Sequence, residues 1–212
     1  PIGLNGLSTD HVWSIIGDGN GRIWIGTADG LNQFDIKTKK WRYYNKGFDS
    51  NSLPSEVVRS LFIDSQGILW VGTGGGGLAV FNGATDNFEV YSYDSTDASG
   101  ISNNMVWSIA EDADGFIWIG TNEGLNRLDP NTGTFEHFYS NLNNPLSLQS
   151  DNVVAVYPDG NGNIWVGTAV VGLSVLKYNA GNPVFLSYEH QDEDEYSLIN
   201  NLVQSLFMDS SG

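Results

Sequence analysis

The 212 residues contain no cysteine, so neither a disulfide framework nor thiol chemistry can be invoked. That absence fits any redox compartment, because a chain of this length can bury a core without staples. Positive charge is scarce: nine Lys and Arg stand against 25 Asp and Glu, for a formal net charge of −16. This balance argues against nucleic acid and anionic membrane surfaces, both of which attract Lys and Arg. The three histidines, His11, His137 and His190, sit in unrelated positions with no metal-ligand spacing. There is no nucleophile elbow and no phosphate-binding Gly loop followed by Lys. No apolar run reaches membrane length, and no stretch sustains a 3.6-residue apolar period. The expectations are no helix, no membrane contact in this segment, no catalytic residue, no metal and no cofactor.

What the sequence does have is one phrase written four times. It reads Gly21-Arg22-Ile23-Trp24-Ile25-Gly26-Thr27, then Gly67-Ile68-Leu69-Trp70-Val71-Gly72-Thr73, Gly115-Phe116-Ile117-Trp118-Ile119-Gly120-Thr121 and Gly162-Asn163-Ile164-Trp165-Val166-Gly167-Thr168. The tryptophans are 46, 48 and 47 residues apart. A fixed period of this size means a repeated supersecondary unit whose copies cannot bury their apolar faces alone.

Each copy yields four short strand signals. The first ends at an Asp-x-x-Gly turn, as in Val12 to Ile16 before Asp18 and Val58 to Ile63 before Asp64. The second is the Trp run, the third begins Gly-Leu (Gly30, Gly77, Gly124, Gly172), and the fourth is aromatic (Trp41 to Tyr44, Phe88 to Tyr91, Phe135 to Tyr139, Phe185 to Tyr188). These runs are β-branched and aromatic, and Gly, Asn and Asp bound them. The Trp run is apolar at consecutive positions, so both its faces are buried. A four-stranded meander with two buried faces must sit between like neighbours, which is the blade of a β-propeller. The expected fold is all-β: four complete four-stranded blades at about 7–52, 53–100, 101–147 and 148–197, and the first strand of a fifth at 198–212.

The pattern Val-x-Ser-Ile-x-x-Asp-x-x-Gly-x-Ile-Trp-Ile-Gly-Thr-x-x-Gly-Leu-Asn-x-Phe-Asp resembles the two-component regulator propeller repeat. Copies one and three match nearly in full; copy two departs at Gly74 to Gly77 and Ala79, and copy four at Pro158, Ala169 to Val171, Ser174 and Lys177. The resemblance implies a periplasmic or otherwise extracytoplasmic sensor domain of bacterial hybrid histidine kinases or sensory diguanylate cyclases, working as a homodimer through the full-length protein. The fifth copy stops at Asp209-Ser210-Ser211-Gly212, and no secretion signal or lipidation motif is recognisable. Together these predict a segment of a longer chain, with about seven blades when whole.

Residues repeated at the period read as packing, and residues that break it read as candidates for function. Trp24, Trp70, Trp118 and Trp165 are therefore expected in the core. The Asp-x-x-Gly turns are expected to be structural, with Asp accepting from backbone N–H groups. The slot holding Trp13, Arg59, Trp107, Val154 and Gln204 breaks the repeat on the innermost strand. Trp faces stack on sugar rings and Arg grips carboxylates, so this slot is a candidate ligand surface; the competing reading is gap filling and local pairing. The loops near 45–55, 92–104, 139–151 and 189–201 are long and varied, and in a meander they share a face with the second-to-third turns. Asp10, Glu56, Asn104, Asp151 and Asn201 enter the first strands from that face, either as a polar ring for a ligand or as caps on the backbone. The leading reading is a sensor that binds an oligosaccharide or another nutrient-derived solute. An interaction or dimerisation scaffold, and a propeller-type polysaccharide lyase, are the alternatives.

Overall fold

The computed structural model describes residues 6–49 and 51–209. Among these, sixteen strands form four antiparallel sheets in simple meander order. The first sheet holds β1 Val12–Gly17, β2 Arg22–Thr27, β3 Leu31–Asp35 and β4 Lys40–Tyr44. The second holds β5 Val58–Ile63, β6 Leu69–Thr73, β7 Leu78–Asn82 and β8 Asn87–Tyr91. The third holds β9 Val106–Glu111, β10 Ile117–Thr121, β11 Gly124–Asp129 and β12 Thr134–Phe138. The fourth holds β13 Val153–Pro158, β14 Ile164–Thr168, β15 Leu173–Asn179 and β16 Asn182–Tyr188. The described residues cluster into two compact units, one of those up to 97 with 104–106, the other of 98–103 with those from 107 onward.

In each unit the core lies between blades. In the first unit, Trp24 and Leu31 of the first blade cluster with Val58, Leu69, Val71 and Phe88 of the second. The Trp24 ring meets Phe81 edge-on at 4.9 Å between centroids, a geometry aromatic quadrupoles favour. In the second unit, Trp118 and Leu125 cluster with Val156, Ile164, Leu176 and Phe185. A blade here is completed by the copy that follows it.

The motif residues explain that dependence. A Cβ on Gly26 would stand 2.7 Å from Val58 Cγ1, and one on Gly120 would stand 2.7 Å from Val153 Cγ1. The Gly of Trp-x-Gly-Thr is thus where the next copy's first strand crosses. Ser14 Oγ accepts from Leu61 N at 3.2 Å, and Ser108 Oγ accepts from Val156 N at 3.0 Å, so the Ser of Val-x-Ser-Ile ties neighbouring inner strands. The Thr closes its own blade: Thr27, Thr73, Thr121 and Thr168 each donate Oγ1–H to the carbonyl of the Gly that opens the third strand.

The long loops are less free than their variation suggested. Leu53, Ile101 and Leu148 are fully buried anchors within them. Asn51 O accepts from Phe88 N at 2.8 Å, and Leu146 O accepts from Phe185 N at 2.9 Å. These two loops thereby cover part of the outer strand of the following blade, an edge that would otherwise offer unpaired N–H groups.

The fifth copy corrects the expectation of a further strand. Leu202 to Asp209 form no ladder, and residues 210–212 lie outside the described part. Val203 N still donates to Thr168 O at 3.1 Å, and Val203 packs on Gly167 as Val58 packs on Gly26. The segment docks in register, but a first strand pairs with a Trp strand, and this copy has none in the sequence.

Candidate functional site

The slot that breaks the repeat has a backbone reason to be special. In β1 the pairing steps from Val12↔Thr27 to Ser14↔Gly26, in β5 from Val58↔Thr73 to Ser60↔Gly72, and in β13 from Val153↔Thr168 to Ala155↔Gly167. Trp13, Arg59 and Val154 are the extra residues of these β-bulges. A bulge leaves its residue outside the ladder and re-aims its side chain, which is why this position tolerates Trp, Arg and Val alike.

In the first unit two of the candidates meet. The Arg59 guanidinium carbon lies 4.3 Å above the Trp13 ring centroid, within cation–π range. Trp13 is 49% exposed and Ile15, on the same strand, is 65% exposed. In the second unit Trp107 is half-buried, and its indole Nε1–H donates to Asn122 Oδ1 at 2.7 Å. Gln204 is exposed on the extended fifth-copy segment.

The polar residues of the long-loop face are occupied. Asn104 Oδ1 accepts from Tyr93 N at 2.8 Å, Asp151 Oδ1 from Ser140 N at 2.6 Å, and Asn201 Oδ1 from His190 N at 2.6 Å. Their carbonyls, with that of Glu56, accept from Gly77, Gly124, Gly172 and Gly30 at the start of the third strands. One residue per copy therefore clasps the loop before it to the preceding blade's turn. This geometry is that of backbone caps, the second of the two readings of the sequence. The Glu56 and Asp10 side chains are exposed.

The Asp-x-x-Gly turns are knots of the same kind. Asp18, Asp64, Asp112 and Asp159 each accept two backbone N–H groups through Oδ1. In copies two and three Oδ2 also takes the indole N–H, Trp70 at 2.8 Å and Trp118 at 2.6 Å. Trp24, Trp70 and Trp118 are buried. Trp165 departs from that expectation and is half-buried, lining a pocket shared with Leu206 and Phe207 of the extended fifth-copy segment. At Asp159 burial works against ionisation, but bonds from Asn163 and Asn161 outweigh it and hold the carboxyl below its ordinary value. Among the described residues no group of His, Asp and Glu is arranged to hold a metal ion.

Two buried networks escaped the sequence reading. Asn32 Nδ2–H donates to Ser8 Oγ at 2.9 Å while Ser8 N donates to Asn32 Oδ1 at 2.9 Å. Asn126 and Ser102 repeat both bonds at 2.8 and 2.9 Å. The signal was present: where copy two replaces the Asn by Ala79, it also replaces the Ser by Pro54.

Four-stranded meanders that recur at one period, and that pack on their successors within each unit, define a β-propeller repeat protein. The two-component regulator propeller model matches residues 6–29, 52–75, 100–123 and 147–169, and the chain carries four repeats of that family. No curated protein matches it. Among solved structures it is similar to the extracellular domain of BT3049 from B. thetaiotaomicron, assigned to a hybrid two-component system, at 27% identity and a TM-score of 0.78, covering 88% of this chain and 25% of that one. The corresponding domain of BT4673 from the same organism gives 25% identity and a TM-score of 0.77, covering 97% and 26%. PorZ, a surface component of the type-IX secretion system of Porphyromonas gingivalis, shares the fold at 18% identity and a TM-score of 0.67, covering 97% and 31%. The chain thus spans about a quarter of the two extracellular domains. Its propeller repeats are similar to parts of those extracellular domains.

Proposed function

We propose that this segment belongs to a non-catalytic, extracytoplasmic receptor, placed in the periplasm, that recognises a solute and passes the event on through a homodimer. The observation that carries the ligand reading is the bulge position of the inner strands. It holds an exposed Trp13 with the Arg59 guanidinium stacked on it at 4.3 Å. An exposed indole offers a face for a sugar ring, and the neighbouring guanidinium offers a fork for a polar substituent. An oligosaccharide or another nutrient-derived compound fits that pair. Signalling requires the ligand to bind one dimer arrangement more tightly than another.

The test is a thermal-shift panel of mono- and oligosaccharides on the wild type and on Trp13→Ala. A ligand that raises the melting temperature of the wild type and not of the variant supports the reading. A panel without any shift, or shifts unchanged by the substitution, would sink it. A second reading, a docking scaffold, draws on Phe48, Leu142, Tyr196 and Ile199, large apolar side chains left almost wholly exposed on the long loops. Sedimentation of the full-length protein with these residues changed to Ser reads that role, and an unchanged dimer would count against it.

A further inference from the structure

Six of the nine Lys and Arg residues lie between Arg22 and Lys46, in a chain whose net charge is −16. Three of them share one face of the first blade. Arg22 pairs with Asp35, which pairs with Lys40, while Gln33 of the adjacent row pairs with Arg42. This face packs on the second blade through Trp24 and Phe81. Beyond that contact the two blades part into a cleft of about 400 Å³, lined by Arg22, Asp35, Lys40, Arg42 and Tyr44 on one side and by Asp86 on the other, so three cations stand against two carboxylates.

The repeat does not ask for these cations. The positions of Arg22, Lys40 and Arg42 hold Ile68, Asn87 and Glu89 in copy two, Phe116, Thr134 and Glu136 in copy three, and Asn163, Val184 and Leu186 in copy four. Packing is satisfied there by apolar, neutral or acidic side chains, so a second cause must select cations in copy one. The cleft itself shows which group it accepts. Asp86 Oδ1 takes Arg42 Nη1 at 2.8 Å and the Tyr44 hydroxyl at 2.8 Å, so a carboxylate oxygen is already gripped by a guanidinium and a phenol. Arg22 and Lys40 flank that grip and are exposed, and Arg22 stands 4.0 Å from its nearest carboxylate, Asp18.

We propose that this cleft is a binding site for a small oxyanion-bearing ligand, whose carboxylate or sulfate group is held by Arg22, Lys40 and Arg42. Its volume admits a compound of about one or two sugar rings. Arg42 supplies a fork fixed in place by Asp86, and Arg22 and Lys40 supply charge from either side. The site is separate from the inner-strand pair and stands or falls without it.

Calorimetric titration of the 212-residue chain with three probes tests this: a galacturonic acid dimer, a sulfated disaccharide and a neutral disaccharide. The wild type is compared with the double variant Arg22→Ile, Lys40→Asn, which carries the second blade's own residues and is checked for folding by circular dichroism and melting. The expected result is binding of at least one anionic probe, none of the neutral one, and a Kd raised at least about ten-fold in the variant. Raising salt from about 20 to about 200 mM should weaken binding in the wild type. Preference between the two anionic probes tells carboxylate from sulfate. Absence of binding by both at millimolar concentration, or equal binding by a folded double variant, overturns the proposal.

Discussion

Trp118 and Trp165 occupy the same place in consecutive blades and are held differently. Trp118 is 1% exposed and donates to Asp112 Oδ2 at 2.6 Å. Trp165 is half-buried; its Nε1 approaches Asp159 closely enough to help keep that acid ionised, yet makes no hydrogen bond of ordinary geometry. The cause is one residue two positions before the Trp. The third blade has Phe116 there and the fourth has Asn163, whose Nδ2–H takes Asp159 Oδ2 at 2.6 Å. A side-chain amide thus outcompetes the indole for the same carboxylate oxygen. Identical motif letters specify the same strand and turn, while a non-motif neighbour decides whether the Trp is tied down.

The comparison is most sharply tested by truncation. Trp118→Ala should cost about 3–5 kcal/mol in urea unfolding, and Trp165→Ala about half of that, because less surface and no hydrogen bond is lost. Equal costs would break the distinction. Next in size is the carboxylate. Asp112→Ala leaves a buried indole N–H unpaired and should destabilise by about 1–3 kcal/mol, more than Asp159→Ala, which orphans no satisfied indole. A reversed order would mean that the turn bonds, and not the Trp bond, dominate. A smaller effect with the opposite sign is expected from Asn163→Phe, which returns Asp159 Oδ2 to Trp165 and should stabilise by up to about 1 kcal/mol. Indole fluorescence and the unfolding midpoint report it, and any loss of stability contradicts the competition just described.

The smallest effect is in acid. Asp35, Asp94 and Asp129 accept backbone N–H groups of their own turns, and these bonds hold the three carboxyls below their ordinary value of 3.8. Asp159 behaves alike against the opposing pull of burial. A carboxyl whose folded value is depressed stabilises fully above its unfolded value and loses that contribution as pH falls through the folded one. Stability should therefore be flat above the ordinary Asp range and decline below 3.8. Changing Asp94 and Asp129 to Asn should make that acid limb shallower. An unchanged limb in a pH series of melting curves would remove these turns from the acid response.

Strand order and the buried tryptophans were legible because the chain states them four times, and repetition separates packing from accident. Trp165 is less buried than its three counterparts because burial depends on the neighbour, and its neighbour is a Val203 segment without a ladder. The bulge at Trp13, Arg59 and Val154 could not be read, since it is a property of how two strands pair and leaves no mark on either alone. The buried Leu53 and Leu148 were hidden inside loops that vary on every side of them, although Ser-Leu recurs at Ser52-Leu53, Ser147-Leu148 and Ser197-Leu198. The polar residues of the long-loop face read in sequence either as a ligand ring or as backbone caps, and Asn104, Asp151 and Asn201 spend their side-chain oxygens on the backbone.

The clasp that reaches backward from each copy has an evolutionary reading. Glu56, Asn104, Asp151 and Asn201 lend their carbonyls to the blade before their own. What is inherited as one unit and what is bonded as one unit are therefore offset, like bricks laid across a joint. A recombination event that adds or deletes one whole period recreates every such joint with partners the lineage already owns. Tandem length becomes a trait that drift can explore cheaply, and individual blades are left to diverge in the positions that no joint uses.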